Sequence, residues 1–170
     1  MKLTTLTLAL ALALPTLASA ETLPKPVQDM ECLVGTWKGG GTLAMGKDKA
    51  KVTFALDCKR TSARFGVLCT FAIGGLPAPY AETDLFGYEP NTDTYHWFSV
   101  TNAGETHDHA AKLAAGSSKI EWVYTGTQDG KPFKEVVAFD FAKDGKAFTV
   151  RSESFVAGAS VAVLEGKVAK

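Results

Sequence analysis

Downstream of residue 35 the chain is built from short runs in which apolar and polar residues alternate, rich in β-branched and aromatic side chains. Alternation with a period of two marks a strand that buries one face. The pattern predicts strands over 36–44, 51–58, 65–73, 82–88, 94–101, 105–112, 119–125, 133–141, 147–156 and 159–166. Turn-forming clusters separate them: Gly46-Lys47-Asp48, Gly74-Gly75-Leu76-Pro77, Glu89-Pro90-Asn91, Asn102-Ala103-Gly104, Gly116-Ser117-Ser118, Gln128-Asp129-Gly130 and Asp144-Gly145. Upstream, Leu23-Pro24-Lys25-Pro26 reads as extended, because each proline fixes its own φ and biases its predecessor away from helix. Val27 to Val34 can form one short helical turn that plugs an end of the domain, after which helix signals stop.

Many short strands joined by hairpin-type turns indicate an all-β meander, barrel or sandwich. The short connections favour an up-and-down antiparallel β-barrel of about ten strands, since a sandwich needs long crossings between sheets. Alternation also assigns the inward faces. Phe133, Val137, Phe139 and Phe141 share one face with Glu135, opposite Lys134 and Asp140. Phe148, Val150 and Val156 oppose Arg151 and Glu153, and Ile120, Trp122 and Tyr124 oppose Lys119 and Glu121. A barrel of this strand number is too wide for its side chains to fill, so the ring-rich interior is expected to enclose a cavity. The glycine-rich run Gly39-Gly40-Gly41 within the first strand implies a bend or a close backbone approach.

The start of the chain changes the picture of where this domain works. Lys2, the apolar run Leu6–Leu14 and the exit Ala18-Ser19-Ala20 make up a secretory signal peptide, with cleavage expected after Ala20. The apolar run is too short to span a bilayer, which needs about 20 residues. Residues 21–170 are then the mature chain, one domain, periplasmic or secreted, with no membrane span. The 18 Lys and Arg balance the 18 Asp and Glu, and removing Lys2 tips the remainder slightly acidic. No basic patch points to nucleic acid, and nothing in the sequence speaks to oligomeric state.

Export implies an oxidising compartment, where two of Cys32, Cys58 and Cys69 should pair. If 52–58 and 65–71 form an antiparallel pair centred between Ala63 and Arg64, Cys58 falls opposite Cys69. That pair is the expected disulfide, leaving Cys32 as a buried, unreactive thiol. The cysteines have no close partners of the kind a zinc site requires.

All three histidines fall between residues 96 and 109. His107 and His109, two apart on a strand, present both rings to one face, as a chelate needs. Whether His96 joins them depends on register. A two-residue Asn102-Ala103 loop would set His96 opposite His109, but Ala is poor at the second position of such turns. A three-residue loop with Gly104 left-handed fits better. It pairs Ser99 with His107 and Trp97 with His109, and sends His96 to the other face beside Ala110. Two histidine ligands, with Glu105 on the same face, remain open as a metal site; the alternatives are a solvated polar hairpin at the barrel mouth or contacts to an organic ligand. Glu135, on an apolar face, needs a partner if buried and would then titrate high. Arg151 reaches it only if the register or a bulge brings the two faces together. No serine lies in a nucleophile-elbow context, no catalytic group stands out, and no cofactor is called for.

Leu33-Val34-Gly35-Thr36-Trp37, then Phe86-Gly87-Tyr88-Glu89-Pro90-Asn91-Thr92-Asp93-Thr94-Tyr95, and Leu164-Glu165-Gly166-Lys167 give the chain a resemblance to the DUF1579 family of mostly bacterial, often exported proteins. The resemblance spans nearly all of the mature chain and rests on the order and spacing of short motifs. It implies a distant relation to calycin-type barrels such as lipocalins, fatty-acid-binding proteins and nitrobindins. In those proteins a Gly-x-Trp closes one barrel end, a structural role that would fall to Gly35 and Trp37. The nitrobindin-like branch holds haem through a late histidine; no histidine follows His109, and the haem site is not carried over. The implied function is binding of a small, apolar or aromatic ligand. Trp97, Trp122, Tyr124, Phe139 and Phe148 are expected as walls, with His107, His109 and Glu135 as polar groups. A metal-binding protein using His107 and His109 and a self-filled structural barrel are the alternatives.

Overall fold

The computed structural model describes residues 23–114 and 116–170; the leader expected over residues 1–20 lies outside the described residues. Among the described residues ten strands form: β1 (Gly35–Met45), β2 (Asp48–Arg60), β3 (Gly66–Gly74), β4 (Tyr80–Glu89), β5 (Thr94–Thr101), β6 (Thr106–Ala111), β7 (Lys119–Gln128), β8 (Lys131–Phe141), β9 (Ala147–Val156) and β10 (Ala159–Ala169). Each pairs antiparallel with the next, and β10 returns to β1 to close the barrel. Closure removes every sheet edge, which is how an all-β chain of this size satisfies its outer strands.

Closure also explains the glycines of β1. A Cβ at Gly39 would lie 1.9 Å from the Lys167 carbonyl oxygen, and one at Gly41 would lie 2.0 Å from that of Glu165. The first strand can cross the last this closely only without side chains. The sequence signal therefore marks the seam of the barrel.

Asn102-Ala103-Gly104 forms the three-residue connection expected, with Gly104 left-handed at φ 83°. Ser99 pairs with His107, Trp97 with His109 and His96 with Ala110. The next seam is thin: β6 meets β7 at the single registered pair Ala110–Val123. The strand that carries His107 and His109 is thus fully laddered on one side only.

A helix, α1 (Lys25–Asp29), runs into a 3-10 turn over Met30–Leu33 and closes one end. The extended leader is shorter than the prolines suggest. Pro26 lies in the first helical turn, where its missing N–H removes no hydrogen bond. Val27, Met30 and Leu33 point into the barrel. The plug is tied down at Trp37, which has no exposed surface and whose indole N–H donates to the Leu33 carbonyl at 2.7 Å. Lys170 covers the same ring, with Nζ 4.5 Å from its centroid. Gly35, at φ 133°, takes a conformation that suits glycine where the chain turns from plug to barrel. Arg60 of β2 also pairs with Glu31 of the plug.

Cys58 and Cys69 form a disulfide between the paired strands β2 and β3. Cys32 is free; its thiol donates to the Asp29 carbonyl, and burial pushes it up to about 11, so it stays protonated and unreactive. A crosslink with a sequence separation of 11 stabilises by constraining the unfolded chain, by about 3 kcal/mol. Urea unfolding with and without reductant should reveal a loss of that order on reduction. Superimposable curves would show that the cross-link does not hold the fold.

Candidate functional site

The strands enclose a cavity of about 590 Å³ that runs from the plug to the opposite end of the barrel. Leu33 and Val168 lie at its floor; Met45 and Val161, both solvent-exposed, stand at its mouth. Its size falls within the range of small-molecule sites. Alternation on every strand supplies the lining. Phe54, Phe71, Phe86, Trp97, Phe139 and Phe148 give it an aromatic lining. The barrel is not filled by its own side chains.

One wall is polar. Tyr80, Glu82 and Asp84 enter from β4, Ser99 from β5, His107 and His109 from β6, Glu135 from β8 and Ser152 from β9. They form two linked groups. His109 Nε2 lies 3.0 Å from Glu135 Oε2, and the Ser152 hydroxyl donates to Glu135 Oε1 at 2.8 Å. Beside them, the Tyr80 hydroxyl donates to Glu82 at 2.7 Å and the Trp97 indole N–H donates to Asp84 at 2.8 Å. The rings are held by stacking: His109 on Trp97 with centroids 4.5 Å apart, and His107 on Tyr124 at 4.3 Å.

Burial sets the protonation of this wall. It pushes Glu82 up to about 8, reinforced by repulsion from Asp84 and only partly offset by the Tyr80 hydroxyl. It pushes Asp84 up to about 6, against the pull of the Trp97 indole and His109. Glu82 thus holds a proton near neutral pH that an exposed glutamate would have lost. Burial acts upward on Glu135 too, but the hydrogen bonds from His109 and Ser152, with the nearby imidazoles, outweigh it and hold that carboxyl below its usual range. His107 is pushed down, chiefly by burial. Adjacent carboxyls thereby occupy different protonation states, the arrangement by which one polar wall can both donate and accept hydrogen bonds.

Of the residues singled out in the sequence, Trp97, His107, His109, Glu135, Phe139 and Phe148 line this cavity. Trp122 is fully buried and lines a second, smaller pocket of about 380 Å³ beside the plug. Tyr124 meets the site through His107, on which it stacks. Arg151 does not reach Glu135; it pairs outside the barrel with Glu153 and Glu165. His96 also faces outward, 3.0 Å from Asp108. Glu82, Asp84 and Tyr80 were not singled out. Counting back in twos from Phe86 would have placed both acids inside, but Leu85 beside Phe86 is equally apolar and hides which face is which.

Raised carboxyl pKa values have a fixed consequence for stability. A folded state that keeps protons the unfolded chain releases loses stability as pH climbs from the ordinary carboxyl range to the folded pKa, here about 8 for Glu82. Glu135 and His107 act in the opposite sense at lower pH, so the useful quantity is the difference between wild type and Glu82→Gln. In urea unfolding the variant should match wild type at about pH 4 and exceed it by a few kcal/mol near pH 8. An equal difference at both pH values would remove Glu82 as the titrating group.

No family model matches the chain, and no curated protein does. Among solved structures, Rv2717c from M. tuberculosis superimposes with a TM-score of 0.65 at 13% identity, over 88% of this chain and 99% of that one. The S-type phycobiliprotein lyase CPES from Guillardia theta superimposes with a TM-score of 0.54 at 10% identity, over 83% and 89%. At such identities the likeness is one of fold alone, that of the closed antiparallel barrel described above.

Proposed function

We propose that the chain is an exported, periplasmic protein that binds a small, largely apolar or aromatic molecule inside its barrel. The observation that carries this reading is the 590 Å³ cavity, lined by aromatic rings and polar on one wall. Mostly apolar pockets with a few converging polar groups are the common form of small-molecule sites. The likeness to a phycobiliprotein lyase supports a barrel whose interior is used rather than filled. The leader at residues 1–20, the motif resemblance to the DUF1579 family and the Cys58–Cys69 disulfide support export to an oxidising compartment. Among the described residues no helix is long and apolar enough to cross a membrane.

Charge on the wall narrows the class of guest. No Lys or Arg is found among the described residues that line the cavity, whereas Asp84, Glu105 and Glu135 line it beside the protonated Glu82. A carboxylate-bearing amphiphile would bury its charge against like charge with no Lys or Arg to receive it. The fit is to neutral molecules or to those with a protonated amine.

An environment-sensitive apolar dye reads this directly. N-phenyl-1-naphthylamine should bind the mature chain with micromolar affinity and be displaced by dodecylamine more readily than by dodecanoate. Val150→Trp, which places an indole in the cavity, should weaken dye binding by about tenfold or more while circular dichroism stays barrel-like. Equal dye binding in the filled variant would place the dye elsewhere and contradict the reading.

A further inference from the structure

We propose that His107, His109 and Glu135 together form a binding site for one divalent transition-metal ion, zinc or a chemical neighbour, in the polar wall of the cavity. The donors come from strands with a fixed relation. His107 and His109 are two apart on β6 and share its inner face. Tyr124 of β7 pairs with Glu135 of β8, which brings the carboxylate level with the two imidazoles. One donor atom from each residue lies within 4.8 Å of the other two.

These distances suit an ion. A tetrahedral zinc holds nitrogen and oxygen donors at about 2.0–2.1 Å and therefore about 3.4 Å from one another. His109 Nε2 and Glu135 Oε2, at 3.0 Å, already stand close to that spacing. Closing His107 onto them needs a side-chain movement of roughly an ångström. The surroundings supply what metal ligands need to stay aligned. Ser152 anchors the second oxygen of Glu135, as outer groups orient ligand carboxylates. Tyr124 and Trp97 clamp the two rings.

The burial of His109 sets it apart from an ordinary core residue. His109 is 2% exposed and its Nδ1 has no hydrogen-bond partner among the described residues. That nitrogen is not the one turned to Glu135; it marks the position as one where the fold accepts a cost, as functional positions do, and is not counted as a donor. The wall also places Asp84 near this cluster with no Lys or Arg among the lining residues described, and a dication offsets its charge and that of Glu135. Two imidazoles and one carboxylate form a donor set used by zinc and by iron(II), and three protein ligands leave a coordination position facing the cavity. His96 has no place in the set, since it faces outward against Asp108.

The proposal stands apart from the apolar-guest reading, because the probe is the metal alone. Untagged mature chain, stripped with EDTA, would be titrated with ZnCl2 by calorimetry and with CoCl2 by visible absorption. One zinc per chain should bind with micromolar affinity or tighter, and cobalt should show the intense bands of a four- or five-coordinate site. His107→Ala and Glu135→Gln should each weaken zinc binding by about tenfold or more, whereas His96→Ala should leave it unchanged. His107 is only half-buried, so its variant keeps the readout open if His109→Ala fails to fold. Absence of binding at millimolar zinc, or binding that survives both ligand variants or is lost in His96→Ala, would overturn the site. Dye binding in the same metal-free protein reports on the apolar cavity separately.

Discussion

The circumference of a ten-stranded barrel governs this molecule. Once β10 returns to β1, the wall encloses more space than inward side chains can fill, even when many of them are aromatic. The seam works only because Gly39 and Gly41 leave room for the backbone of β10 to pass within contact distance. The same geometry that removes sheet edges therefore creates an interior, and the plug over Lys25–Leu33 closes just one end of it.

An interior of this kind makes polar groups expensive unless they are paired. The barrel's answer is a compact network rather than isolated acids. Glu135 is bound from both sides by His109 and Ser152, Glu82 by Tyr80, and Asp84 by Trp97. The network also crosses the weakest join in the wall: β6 has one registered partner on β7, and the His109–Glu135 contact reaches past β7 to β8. Stacking of Tyr124 on His107 adds to that stitch. Structure and site coincide here, since the groups that bind the histidine strand to its neighbours also face the cavity.

Much of this was legible in the residues. Turn chemistry carried the histidine hairpin: Ala103 disfavours the short loop, Gly104 supplies the left-handed residue, and every pairing from Tyr95–Ala111 to Val100–Thr106 follows. The disulfide followed from hairpin symmetry about Ala63 and Arg64. Phe139 and Phe148 were readable as inward because charged residues alternate with their neighbours. Glu82 and Asp84 were not, because β4 carries Leu85 and Phe86 side by side and its acids look like an outer face. Nor could alternation separate Trp122 from Trp97. Both point inward, but height along the axis decides that one faces the large cavity and the other the pocket beside the plug. Helix onset at Lys25 was missed because proline in a first turn is compatible with helix, a distinction the run Leu23–Pro26 does not make on its own.

The central claim is that the enclosed space admits a guest. Native mass spectrometry of the untagged protein, purified from its own host under conditions that keep weak complexes, tests it most directly. The account predicts a second mass series, above that of the unliganded chain, from a small molecule that dissociates on collisional activation and is lost from Val150→Trp. A single unliganded mass, together with no uptake of any apolar or amine probe by the purified barrel, would contradict it.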